Sequence, residues 1–216
     1  MSTYNTDNYK EQGGARDVIG GELDIVSGGT FKIAGTTVSA TAAELNSVAV
    51  IETAGTASTG VTAVETGNET RHTTILTVAA FTQGIAATTL GFGKSIYTFP
   101  EGIVKVKYAT VDLTIFGTAE TGTPDIGIGT VVASGGIDAL NGTATFESIM
   151  DGFTATAITT TPGSASNNYV EAKAGLLDGH TTEVEAFLNF AETWTATENL
   201  AISATVTLIW DILGTY

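Results

Sequence analysis

Few residues in this chain have the type and spacing to do chemistry. Gly93-Lys94-Ser95 has the form of the end of a phosphate-binding loop, where backbone N–H groups and a lysine cradle phosphate oxygens. That motif needs a glycine five residues before Gly93; Thr88 stands there, and no helix pattern follows. A nucleotide site is therefore not expected. A Ser–His–acid relay needs a histidine held by a carboxylate, and the only histidines are His72 and His180. His72 follows Arg71 in what reads as a linker. His180 follows Asp178-Gly179, a turn signature. No G-x-S-x-G elbow is present. Both histidines read as surface or turn residues.

Carboxylates are plentiful, so counting alone leaves a glycosidase-type pair open. Sugar-cleaving sites usually stack rings on aromatic side chains, however, and only 8% of residues are aromatic. Trp210 falls on the apolar face of the last strand and reads as core. Trp194 flanks a strand and is open between core and surface. No D-x-[DN]-x-[DN]-G calcium loop occurs; Asp125, Asp138, Asp151 and Asp178 lie near glycines, as turns place them. The absence of cysteine removes disulfides, zinc–thiolate sites and Cys nucleophiles. The expectation is a chain with no catalytic residue, no metal and no cofactor.

Composition points to an all-β protein. Hydrophobic residues make up 43% and charged residues 14% of 216, which argues against wholesale disorder. Threonine contributes about 40 residues, and β-branched side chains favour pleated, half-buried surfaces. Net charge is −15. Beyond Phe116 a single base, Lys173, faces a long run of acids, so a phosphate-binding surface and nucleic-acid partners are not expected. Residues 1–16 are polar and do not read as a signal peptide. No apolar run reaches the roughly 18 residues of a spanning helix, and no membrane partner is expected.

Four regions follow. Residues 1–20 show no period and read as an extended arm that folds against a partner. Residues 21–50 read as a hairpin, Leu23–Val26 and Phe31–Ala34 about Ser27-Gly28-Gly29, followed by a capping box at Thr41-Ala42-Ala43-Glu44 and a short helix to Asn46. So small a unit cannot bury enough apolar surface to stand alone. Residues 51–72 read as a linker or extended connection with one candidate strand. Residues 73–216 read as a β-sandwich or jelly-roll domain. Its clearest strand alternates Leu200, Ile202, Ala204, Val206, Leu208, Trp210 and Ile212 against a polar face. Val184, Ala186, Leu188 and Phe190 alternate likewise, as do Val170, Ala172, Ala174 and Leu176. Between 103 and 116 the apolar set moves from even positions (Val104, Val106, Tyr108) to odd ones (Val111, Leu113, Ile115). That switch predicts a β-bulge near Ala109-Thr110.

Two stretches carry a family resemblance. Tyr9–Arg16 continuing through Val18–Ile25 and Ser27-Gly28-Gly29, and Lys32–Gly35 with Val38–Asn46, resemble an N-terminal module of structural proteins of tailed bacteriophages, head decoration (cement) proteins among them. The strand pattern from Asn189 to Leu213 is similar to their β-sandwich. The resemblance implies a non-enzymatic virion protein on the capsid exterior, made in the host cytoplasm. It implies a homotrimer seated on the major capsid protein, which it stabilises. Contacts to the capsid and within the trimer are expected from Tyr4, Tyr9, Arg16, Ile19, Leu23, Ile25, Phe31 and Ile33. Related segments also occur in fibre proteins, so the alternative is a head or tail fibre with a receptor- or glycan-binding β domain.

Overall fold

A computed structural model describes residues 8–10, 17–19, 30, 32–38, 54–68, 70–140, 145–155, 157–158, 165–171 and 176–214. Every element among them is a β-strand. The chain divides into two compact units, Met1–Leu45 and Asn46–Tyr216.

The first unit contains two short ladders. β1 (Asn8–Lys10) pairs antiparallel with β2 (Asp17–Ile19). This short ladder lies within the segment read as an extended arm. β3 (Lys32–Ile33) pairs with β4 (Thr36–Thr37). The turn between them is Ala34-Gly35, both at positive φ (50° and 83°), as a two-residue hairpin turn requires. Ala34 is thus a turn residue rather than the end of a strand, and Lys32–Ile33 pairs forward. The expected partner strand Leu23–Val26, its turn and the short helix from Ala42 lie outside the described residues.

The second unit is a β-sandwich with jelly-roll connectivity. Eight strands form its frame: β7 (Arg71–Ile85), β8 (Gly91–Thr98), β9 (Gly102–Phe116), β10 (Asp125–Gly129), β11 (Met150–Thr154), β12 (Ala165–Glu171), β14 (Glu185–Ala191) and β15 (Glu198–Gly214). One sheet runs β12-β9-β15-β7 and the other β11-β10-β14-β8, all antiparallel. The first frame strand therefore pairs with the last, the second with the second-last, and so inward, as in a long hairpin rolled into two sheets. β13 (Leu177–Gly179) adds to β9.

The segment read as a linker is part of both sheets. β5 (Thr56–Ala57) extends the five-stranded sheet beside β8, and β6 (Val61–Gly67) extends the other beside β7. The sequence misleads here because β6 buries only Val61 fully, and Glu65 breaks the apolar pattern.

Alternation decides which side chains fill the space between the sheets. Leu200, Ile202, Ala204, Val206, Leu208 and Trp210 are all buried, as are Ala186, Leu188 and Phe190. They meet Leu76, Val78, Val111, Leu113, Ile126 and Ile128 in one core. Of the alternating run from 170 to 176, β12 covers the start, 172–175 lie outside the described residues, and Leu176 is exposed. The predicted bulge exists but sits earlier in β9. Ile209 pairs with Tyr108 and Trp210 with Val106, leaving Lys107 as the extra residue. Tyr108 therefore turns outward and Ala109 inward. The pattern placed the switch too late because Tyr108 reads as apolar. β7 has a second bulge, with Ala79 and Ala80 together between the pairs Val78–Ala204 and Phe81–Ile202.

Candidate functional site

Of the expected contact residues, Tyr9 lies in β1 and Ile19 in β2, while Ile33 lies in β3 and is 62% exposed. Tyr4, Arg16, Leu23, Ile25 and Phe31 lie outside the described residues. Every residue from Lys32 to Thr37 is exposed, so this hairpin buries nothing of its own.

The sandwich has a constellation that sequence reasoning missed. His72 is fully buried rather than at the surface. It sits opposite Trp210 in the ladder and stacks on it, with ring centroids 3.9 Å apart. Its Nδ1 is 2.6 Å from Glu65 Oε1, and the Tyr97 hydroxyl donates to Glu65 Oε2 at 2.5 Å. Gly55 N–H donates to the same phenol oxygen, and Trp210 Nε1–H donates to Thr74 Oγ1. Burial, with the Glu65 carboxylate beside it, pushes the Tyr97 phenol well above its usual range. Acid, imidazole and phenol are the parts of a proton relay, but His72 Nε2 has no partner and no exposure. The geometry joins β6 of one sheet to β8 of the other, a polar seam closing one edge of the sandwich. No local signal reveals this, because Glu65, His72 and Tyr97 meet only through the sheets.

Two other carboxylates hold loops. Glu198 accepts N–H bonds from Thr118, Ala119 and Glu120 and the Thr118 hydroxyl. Burial alone would raise its pKa; these donors more than offset that and bring it down to about 2. Glu120 accepts from Thr121, Gly122, Thr195 and Ala196. It too is held below the usual carboxylate range, since these bonds outweigh its burial. Both are anchors at one end of the sandwich.

The outer faces of the two sheets differ. On the five-stranded sheet, outward positions carry Gly93, Asn189 and Gly127 in one cross-strand row. Residues 130–140 and 145–148 lie over them. Asn189 Oδ1 accepts from Ala133 N–H, and Nδ2 donates to the Val131 and Phe146 carbonyls. A Cβ at Gly129 would overlap the Thr145 carbonyl, so glycine is what lets the backbone approach. Ala133, Leu140, Phe146 and Ala191 form a second small core beneath this cover. The signal was present in the sequence: glycine alternates with apolar residues at 91–93 and 126–129.

The six-stranded sheet has no such cover among the described residues. Thr66, Thr73, Ile209 and Tyr108 form one outward row, and Val64, Ile75, Thr207 and Thr110 the next. Val64 (62%), Ile75 (42%) and Tyr108 (37%) are exposed. At the end of this face Asp211 receives Arg71 at 2.9 Å and Lys107 at 3.2 Å. The Arg71 hydrogen bond, aided by Lys107, holds its carboxyl below the usual range despite burial.

Two open clefts of about 450 and 440 Å³ flank Glu185: one lined by Thr56–Thr59, Lys94 and Ser95, the other by Leu176–Asp178 and Glu183. Neither is lined by an aromatic side chain. Trp194 is core: it is buried against Phe92 and donates to the Leu90 carbonyl. His180 is exposed in the Asp178 turn. Among the described residues no cluster of three or more His, Cys, Asp or Glu could hold a metal ion, and no helix is long and apolar enough to cross a membrane. No family model, curated protein or solved structure matches this chain.

Proposed function

We propose that this protein is a virion structural subunit that binds the outside of a phage capsid and stabilises it, as a homotrimer seated on the major capsid protein. The observation that carries the reading is the β3–β4 hairpin. Its strands are two residues long and every side chain from Lys32 to Thr37 is exposed, Ile33 included. A ladder of that size is not stable in water without a surface to cover it. A protein neighbour supplies that surface, and the resemblance of residues 9–46 to the phage module names its class. The jelly roll is an architecture that capsid, lectin and enzyme domains share, so the reading stands on the hairpin.

The mechanism is mass action. A subunit that binds the assembled shell and not its dissociated parts shifts the equilibrium toward the shell. Three footprints on one trimer act together through effective concentration. Tyr4, Tyr9, Arg16, Ile19, Leu23, Ile25, Phe31 and Ile33 are the proposed contacts. Deleting residues 1–20 is expected to abolish binding to purified shells, measured by co-sedimentation, while leaving the melting transition of the sandwich unchanged. Normal binding by the truncated chain would overturn the assignment. A fibre bearing a receptor-binding head is the alternative. It requires few copies per particle, where decoration requires hundreds, so the ratio to major capsid protein in purified virions separates the two.

A further inference from the structure

The free edge of β6 goes beyond the shell reading. Asn68 N–H donates to the Arg71 carbonyl, and the Gly60 carbonyl accepts from Ala79 N–H, so even-numbered residues turn their backbone groups toward β7. Ala63, Glu65 and Gly67 must then turn N–H and C=O to the open side, where no described strand pairs with them. Sheet edges are normally blunted by lysine, proline, bulges or extreme shortness. β5 is two residues long, and β11 carries a register shift. β6 has seven residues, no Lys, Arg or Pro, and no bulge against β7. Its single charge, Glu65, is engaged by His72 and Tyr97.

We infer that β6 pairs antiparallel with β6 of a second copy of this chain across a two-fold axis at Val64, joining two six-stranded sheets edge to edge. The strand reads Val61-Thr62-Ala63-Val64-Glu65-Thr66-Gly67, and its outward face, Thr62-Val64-Thr66, is the same in both directions. Under the two-fold, Val64 meets Val64, Thr62 meets Thr66, and Ala63 meets Glu65. No two charges face each other. Ala63 and Glu65 form the hydrogen-bonded pairs, which uses the free groups named above. The Val64 pair falls in a non-hydrogen-bonded site, where side chains pack closest. Ile75, beside Val64 in the ladder, extends the apolar strip across the axis.

The chain has no cysteine, so single cysteines report the register directly. Opposed Cα atoms in a non-hydrogen-bonded pair lie about 4.5 Å apart, within the span of a disulfide. In the purified full chain, Val64→Cys is expected to form a covalent dimer on mild oxidation. Thr62→Cys and Thr66→Cys alone are expected to stay uncrosslinked, and the Thr62→Cys/Thr66→Cys double variant to crosslink. Val64→Lys places like charges across the axis and is expected to weaken self-association in sedimentation equilibrium by about tenfold or more, with unfolding unchanged. Equal crosslinking of all three single variants, none with Val64→Cys, or an unaltered oligomer for Val64→Lys would overturn the inference. None of these readouts requires a shell, so the capsid proposal can fail while this one stands.

Discussion

The two outer faces of the sandwich have opposite fates. On the five-stranded sheet, outward glycines and Asn189 admit residues 130–140 and 145–148, and the chain covers its own surface. On the six-stranded sheet, outward threonines with Val64, Ile75 and Tyr108 stay exposed to solvent among the described residues. Side-chain size makes the difference. A row of glycine lets a backbone descend to hydrogen-bonding distance, whereas a row of β-branched residues holds other chains at side-chain distance and offers methyl groups. One face is finished by folding; the other is available to a partner.

The largest effect should come from Asn189→Leu. It strands the Ala133 N–H and the Val131 and Phe146 carbonyls beneath the cover, and is expected to cost about 3 kcal/mol or more. Denaturant unfolding measures the loss, and hydrogen exchange should show residues 131–140 and 145–148 losing protection first. Next, Leu140→Ala, fully buried under the cover, should cost about 2–3 kcal/mol, with a cavity left behind. The counterpart on the bare face, Ile75→Ala, should stay within about 0.5 kcal/mol. Equal costs for the two would mean that the faces are alike after all.

A smaller and pH-dependent effect should appear where both sheets are tied at one end. Glu198 has a folded pKa of about 2 against an ordinary value near 4.5. Because the folded value is depressed, its contribution is fully present above about pH 4.5 and is lost as pH falls toward 2. Glu198→Gln should therefore lower the melting temperature at neutral pH and flatten the acid limb of the stability curve. A variant whose acid limb matches the parent would remove Glu198 as the anchor.

Much of the sandwich was legible because alternation is a local signal. β15 and β14 could be read residue by residue, and the reversal of period in β9 announced a bulge, displaced only because Tyr108 counts as apolar whichever way it points. What was not legible is long-range. β6 looked like a linker because its inward carboxylate serves His72 and Tyr97, partners brought by two different strands. His72 looked exposed because its cover, Trp210, lies 138 positions away. The capsid-facing residues came from resemblance and from the smallness of the hairpin, and Ile33 is the one whose exposure can be seen directly. The openness of an edge is a property of neighbours and has no signature within the strand itself.

The position of β15 carries a consequence for how the protein is made. It lies between β9 and β7, and β14 likewise lies between β10 and β8, so the strands that come last in the sandwich's chain order occupy the middle of their sheets. Until residues 185–214 have left the ribosome, β7 and β9 have no common neighbour and the apolar faces of both sheets stay wet. Folding must wait for synthesis to reach that point, and then proceed through pairings of very high sequence separation, which are slow to form. A premature stop only a dozen codons upstream of residue 214 would remove Trp210, Leu208 and Val206 together, yielding an aggregation-prone fragment in place of a slightly shorter protein.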